Sequence, residues 1–209
     1  MKYINNFRDI SFFNPLLKKG LIFRTSTLSL FPKEQDFQAF LQAKNITQII
    51  DLRAEREVLE NSYSADNQQL FKYIHAPFDP WVQSVEFQNT HNTGTNAEIA
   101  YRFFMLECQN SIKKVMESLA ENEGATAIHC HAGKDRTGII AIFLHLLAGA
   151  DYATILQDYL ASEMDTSEKL FQIVWNEVEK KGGIYGYLQS CNLSLAQIQK
   201  LEATLLWKN

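Results

Sequence analysis

The chain has 209 residues, 46% of them hydrophobic and 21% charged, the composition of a globular protein with one full core. Its net charge of −4 offers no global attraction for nucleic acid or an anionic membrane, so an anionic substrate must be met by local positive potential. Cys108, Cys130 and Cys191 are widely spaced without a C-x2-C pair, and three thiols cannot all pair. This spacing predicts a reduced, cytoplasmic protein without a structural metal. The first ten residues lack the apolar core of a signal peptide, and no apolar run reaches about 18 residues. Secretion without a cleaved signal stays open.

Residues 1–209 read as one domain without repeats. In chain order, residues 32–44 are helical by period, with Phe37, Phe40 and Leu41 on one face and Pro32 at the first turn. Residues 46–52 (ITQIIDL) are a buried strand, and 71–76 a second strand ending at Pro77. Residues 79–96 are polar, with Pro80, Gly94 and several Asn and Thr, and are expected to form a loop or lid. Residues 97–120 carry one helical period, with Ile99, Phe103, Leu106, Val115 and Leu119 inward and Gly124 as the stop. A strand over 125–128 and a helix over 137–147 follow. Helices over 152–160, 166–180, 184–189 and 195–207 complete the chain, with Ser194 and Gln197 as a capping box for the last. This order gives an α/β fold: a small central, largely parallel sheet flanked by helices, with a helical C-terminal half.

The richest stretch is His129-Cys130-His131-Ala132-Gly133-Lys134-Asp135-Arg136-Thr137-Gly138, a C-x5-R pattern between a strand and a helix. A loop that ends in a helix N-terminus aims N–H groups and the positive end of the helix dipole at one spot, which favours anions. The same field lowers a cysteine pKa and makes Cys130 a candidate nucleophile. Arg136 can fold back and grip two phosphate oxygens at once. A bare arginine at a helix start opposes the dipole, so an oxyanion beside it would make the position reasonable. Gly133 lets the backbone curl so that amides face inward.

Each of these residues also has a plainer reading. Cys130 alone would pass for a buried cysteine at a strand end, but Gly133, Arg136, Gly138 and the flanking elements agree on a site. Cys108 and Cys191 are assigned to packing. Thr137 is either an N-terminal helix residue or a hydroxyl that bonds the sulfur. His129 is expected to hold the loop by hydrogen bonds, and His131 to contribute its backbone with the ring outward. Lys134 and Asp135 are either solvated charges or rim groups that reach a substrate and brace Arg136.

HCHAGKDRTG resembles the signature of the cysteine-based protein tyrosine phosphatase superfamily, and more narrowly that of bacterial tyrosine and phosphoinositide phosphatases with HC-x-x-GKDRTG loops. Four further segments resemble that group: Asn6-Phe7-Arg8-Asp9-Ile10, Gly20-Leu21-Ile22-Phe23-Arg24-Thr25-Ser26, Asp51-Leu52-Arg53, and the stretch from Gly182-Gly183 to Tyr187-Leu188. The resemblance implies a two-step reaction in which Cys130 attacks phosphorus and water hydrolyses the phosphocysteine. Arg136 and the amides of His131, Ala132, Gly133, Lys134, Asp135 and Arg136 would hold the phosphate oxygens, without metal or organic cofactor. A single donor in such a cradle is worth about 3–4 kcal/mol.

The best-known tyrosine phosphatases place an acid on a W-P-D loop, which this chain lacks. Pro77-Phe78-Asp79-Pro80-Trp81 makes Asp79 the first candidate acid, with a turn-forming aspartate before proline as the alternative. Asp135 is second. Asp51 is third and more naturally structural, pairing with Arg24 or Arg53. Two departures stand out: Ser11-Phe12-Phe13 replaces the usual glycine pair after F-R-D, and the short stretch from Pro80 to Ala97 leaves no room for a large two-helix lid. The implied substrates are phosphotyrosine in proteins first and phosphoinositides second. An inositol polyphosphate phosphatase, an idle phospho-binding module and a rhodanese-type sulfurtransferase are the rivals. Intact Cys130 and Arg136 speak against the second, and the Gly-Lys-Asp-Arg-Thr-Gly continuation against the third.

Overall fold

The computed structural model describes residues 4–207; residues 1–3 and 208–209, the ends of the expected domain, lie outside the described residues. Five strands form one sheet in the order β1-β2-β5-β3-β4: β1 (Arg8–Asp9), β2 (Ile22–Thr25), β3 (Ile46–Asp51), β4 (Lys72–His75) and β5 (Ala125–His129). Only β1 runs antiparallel; the other pairings are parallel. Alternation along the central strands feeds two cores. Ile49, Ala127 and Phe23 face a layer built on helix α1 (Glu34–Ala43), while Ile50, Ile128 and Ile22 face the larger helical layer. Both faces are therefore covered, as parallel sheets require.

The helices after β3 are short: α2 (Glu55–Glu60), α3 (Ala65–Gln68) and α4 (Val85–His91). Then come α5 (Asn96–Glu107), α6 (Gln109–Glu121), α7 (Asp135–Leu147), α8 (Tyr152–Leu160), α9 (Glu168–Lys180), α10 (Ile184–Ser190) and α11 (Leu195–Leu205). Helix α7 is buried nearly all round, which accounts for its lack of an amphipathic stripe. Ser194 and Gln197 do form a capping box on α11.

β1, β2, α2 and α3 are not among the expected elements, and two of the expected stretches take another form. The single helix over 97–120 is two helices, because Cys108 leaves helical geometry at φ −94°, ψ 22°. The break lets α5 pack on α9 while α6 packs on α11, which one straight helix could not do. The stretch 79–96 is not all loop: Ser84 caps α4 by accepting the Phe87 amide, and Phe87 is buried against Phe103. A single buried aromatic anchors that turn of helix, too little periodicity to read in a polar stretch.

Candidate active site

The C-terminal ends of β2, β5, β3 and β4 bring Thr25, His129, Asp51 and His75 to one edge of the sheet, where ligands bind in open parallel sheets. Cys130 follows β5 directly, and α7 begins five residues later. Between them the carbonyls are all held from outside. Cys130 O accepts from His129 Nδ1 (3.0 Å), His131 O from the Thr27 amide (2.9 Å), and Ala132 O from Asn6 Nδ2 (2.8 Å). Gly133 O and Lys134 O accept from Arg24 Nη2 at 3.1 and 3.3 Å, and Lys134 O also from the Gly138 amide at 2.7 Å. Among the described residues, none of the amides from His131 to Arg136 has a protein acceptor. The loop thus presents a row of unpaired N–H groups at a helix N-terminus, an arrangement whose local field suits an anion.

Gly133 is fixed by two constraints. Its φ is +70°, and a Cβ there would stand 2.3 Å from the Thr25 carbonyl carbon and oxygen. Any side chain would push the loop off β2.

On the β3 side, Asp51 and Arg53 form a fully buried ion pair, with Arg53 Nη2 2.7 Å and Nε 3.0 Å from the carboxylate oxygens. Burial pushes Asp51 up, but the His129 ring and the Arg53 guanidinium outweigh it and hold the carboxyl at about 2. Burial lowers the His129 pKa, so that ring is neutral near pH 7 and gains the charge that pulls on Asp51 only in acid. Because Cys130 O can only accept, Nδ1 carries the ring proton and Nε2 accepts from the Tyr63 hydroxyl at 2.8 Å. Burial lifts the Tyr63 phenol well above its ordinary value, so it remains a donor.

On the β2 side, Arg24 is buried and held by Asp158, with Nη1 at 2.6 Å from Oδ2. Asp158 also takes Arg8 Nε at 2.7 Å, and His145 Nε2 lies 3.5 Å away. Burial raises the Asp158 pKa, yet Arg24, His145 and Arg8 together hold it well below the usual carboxylate range.

The oxyanion that the position of Arg136 calls for is supplied within the protein. Glu57 on α2 accepts from both Nη atoms, at 2.5 and 2.9 Å, and also from the Ala54 amide at 2.8 Å. Burial opposes the guanidinium charge, but the Glu57 hydrogen bonds, with Cys130 and Asp135 within electrostatic reach, raise its pKa. Glu57 uses two of the five guanidinium N–H groups; three remain for phosphate oxygens.

A cavity of about 340 Å³ opens beside the loop, lined by Trp81, Tyr101 and Phe104 together with Lys134, Asp135, Arg136 and Asp165. Asp135 Oδ1 accepts from the Tyr101 hydroxyl at 2.8 Å. Lys134 Nζ is 3.7 Å from the same oxygen and donates to the Asp165 carbonyl at 2.8 Å. The Asp79 carboxylate is turned the other way in use: it accepts the Trp81 amide at 3.0 Å, an Asx turn, and its backbone lies against Cys108, whose thiol burial pushes up to about 12. Its neighbours Pro80 and Trp81 line the cavity; Asp79 does not. His131 is exposed. Thr137 is buried in the first turn of α7, and its hydroxyl makes no hydrogen bond within the described residues, so of its two readings the structure shows the helix residue and not the bond to the Cys130 sulfur. Asp51 pairs with Arg53 and not with Arg24, whose partner is Asp158. No group of three or more His, Cys, Asp or Glu among the described residues is placed to hold a metal ion.

Sequence reasoning missed Glu57, Asp158, Tyr63 and Tyr101. The N-F-R-D segment carries two contacts that its spacing does not reveal: Asn6 bonds the loop directly and Arg8 reaches Asp158. Only Glu57 left a signal, a glutamate in the first turn of a short helix after Asp51-Leu52-Arg53.

Comparison with known proteins agrees with this geometry. The sequence profile of the tyrosine phosphatase family matches residues 1–171. The triple specificity protein phosphatase PtpB of Mycobacterium tuberculosis is 28% identical over 185 residues, covering 75% of this chain and 66% of that protein. A tyrosine-protein phosphatase of Nostoc commune is 44% identical over 64 residues, 30% of this chain and 22% of that one. The chain therefore spans less than two thirds of the length of these curated relatives. The crystal structure of P. aeruginosa TpbA superposes with a TM-score of 0.50 at 15% identity, covering 84% of this chain and 88% of that one, a likeness of fold.

Proposed function

The chain belongs to the tyrosine phosphatase family, and on that premise we propose that it hydrolyses phosphate monoesters through Cys130, with phosphotyrosine in proteins as the substrate class. One observation carries the reading: the loop carbonyls from Cys130 to Lys134 are tied outward, which leaves the amides from His131 to Arg136 free to meet an anion. Fixed dipoles of this kind act without reorganising during the reaction. Trp81, Tyr101 and Phe104 beside the loop suit an aryl group. Asp135 and Asp165 in the same cavity repel the extra phosphates of an inositol polyphosphate, and Lys134 offsets only one of them.

In the proposed reaction the Cys130 thiolate forms the S–P bond as the P–O bond to the leaving group breaks. The departing oxygen takes a proton from Asp135, which reaches the cavity where Asp79 does not. Water then donates a proton to the Asp135 carboxylate and its oxygen to phosphorus; the S–P bond breaks, and thiolate and inorganic phosphate result. Arg136 and the loop amides hold the three non-bridging oxygens throughout.

The test is phosphate release from phosphotyrosine, phosphoserine and phosphothreonine peptides, phosphoinositides and inositol phosphates, with Cys130→Ser as the blank. Release from phosphotyrosine that vanishes in Cys130→Ser supports the reading. Preference for a phosphoinositide or inositol phosphate overturns the substrate class, and release that survives in Cys130→Ser overturns the covalent route. Asp135→Asn should slow poor leaving groups more than good ones; the same pattern in Asp79→Asn instead would move the acid there.

A further inference from the structure

Resting on the phosphatase reading, we infer that the site continues past Trp81 into a second chamber that binds the polypeptide backbone flanking the phosphorylated residue. The cavity beside the loop shares Pro80, Trp81, Ala97 and Ala100 with a second cavity of about 510 Å³. The two meet across the loop after β4 and the first turns of α5. Trp81 stands at the junction, and the Arg56 guanidinium lies 3.2 Å from its ring centroid. This cation–π contact ties the junction to α2, the helix whose Glu57 grips Arg136.

The chemistry of the second chamber differs from that of the first. Beyond the shared residues it adds Gln83, Asn92, Asn96 and Ile99, and its lining holds no ionisable group. Among the described residues the side-chain amides of Gln83, Asn92 and Asn96 have no protein hydrogen-bond partner, and Asn92 and Asn96 are exposed, so each is open to a ligand. Each carboxamide offers both a donor and an acceptor, the complement of a peptide unit. A polyphosphate would call for cations here, and an acyl chain for an unbroken apolar wall; the chamber has neither. Its continuity with the first cavity fits one occupant, an extended chain leaving the phosphorylated side chain.

The experiment compares kcat/KM for p-nitrophenyl phosphate with that for phosphotyrosine embedded in peptides of increasing length. In the unmodified protein kcat/KM should climb as residues are added on either side of phosphotyrosine. In the double variant Asn92→Ala, Asn96→Ala the ratio of peptide to small-ester kcat/KM should fall about tenfold, the loss of two hydrogen bonds of ordinary strength. Asn96→Trp, which fills the chamber from an exposed helix start, should lower the same ratio through KM. Circular dichroism and the small ester report folding independently. Equal kcat/KM for short and long peptides, or variants that keep the peptide ratio, would overturn the second chamber and leave the phosphatase reading standing. No Cys130-dependent release from the small ester or any peptide would overturn both.

Discussion

Two buried carboxylates grip the same loop from the two strands that flank β5, and they differ in how far the chain travels to do so. Asp51, at the end of β3, pairs with Arg53 two residues on and reaches the start of the loop through His129. Asp158, on α8, pairs with Arg8 and Arg24, 150 and 134 residues away, and reaches the far end of the loop through Arg24. The first hub is built from one short stretch of sequence plus the strand beside it. The second closes the whole chain on itself, joining β1, β2 and α8. The Asp51 hub sets the orientation of one ring, whereas the Asp158 hub holds two guanidinium groups at once. Its loss therefore leaves more buried charge unpaired.

The largest expected effect is at that second hub. Asp158→Asn strands the Arg8 and Arg24 guanidiniums and should cost about 3–5 kcal/mol in urea unfolding, since breaking a buried pair leaves its partner uncompensated. Asp51→Asn strands only Arg53 and should sit at the lower end of that range. A greater loss at Asp51 than at Asp158 would reverse the ranking.

Acid separates the hubs from the histidine between them. His129 has a lowered folded pKa, so the unfolded chain binds the extra proton, and stability falls as pH drops below the ordinary 6.5. Asp51 is depressed from 3.8 to about 2; its contribution is complete above the ordinary value and is lost as pH falls between the two. The stability gap between the unmodified protein and Asp51→Asn should therefore be constant near neutrality and close across that acid window. A gap that stays open at the lowest pH would mean that the ion pair is not its source.

Smaller effects test the loop itself. Arg24→Lys keeps a cation beside Asp158 but cannot also fork to the Gly133 and Lys134 carbonyls. It should lower kcat by about tenfold and cost about 1–2 kcal/mol in urea unfolding, the worth of the buried hydrogen bonds given up. Tyr63→Phe removes one hydrogen bond from His129 and should cost about 1 kcal/mol. It should also lower kcat, because the ring proton that holds Cys130 O is no longer fixed on Nδ1. An unchanged kcat would confine Tyr63 to packing.

The chemistry-bearing loop was legible because all of its signals are local. A cysteine, a glycine at positive φ, an arginine and a helix start occupy ten consecutive residues, so their spacing is set along the chain itself. Three of the parallel strands, β3, β4 and β5, were legible as apolar runs, and most of the longer helices as 3.6-residue periods; β2, with Arg24 and Thr25 among its four residues, was not. The break at Cys108 was not, because the apolar pattern continues through it while the direction of the helix changes. The Pro77-to-Trp81 segment offers Asp79 either as an acid or as a turn-forming aspartate and cannot choose between them; in the folded chain the Asp79 carboxylate accepts the Trp81 amide of its own turn and Asp135 lines the cavity.

By itself the sequence determined three of the five strands, most of the longer helices and the strand–loop–helix setting of the stretch from Cys130 to Arg136, because each depends on residues a few positions apart. Only the tertiary structure decided that Glu57 would hold Arg136, that Asp158 would hold Arg24, and that Asn6 would turn the Ala132 carbonyl outward. Those contacts span 79, 134 and 126 residues. A buried charge or carbonyl must find its partner wherever packing delivers one, and no periodicity along the chain records where that will be.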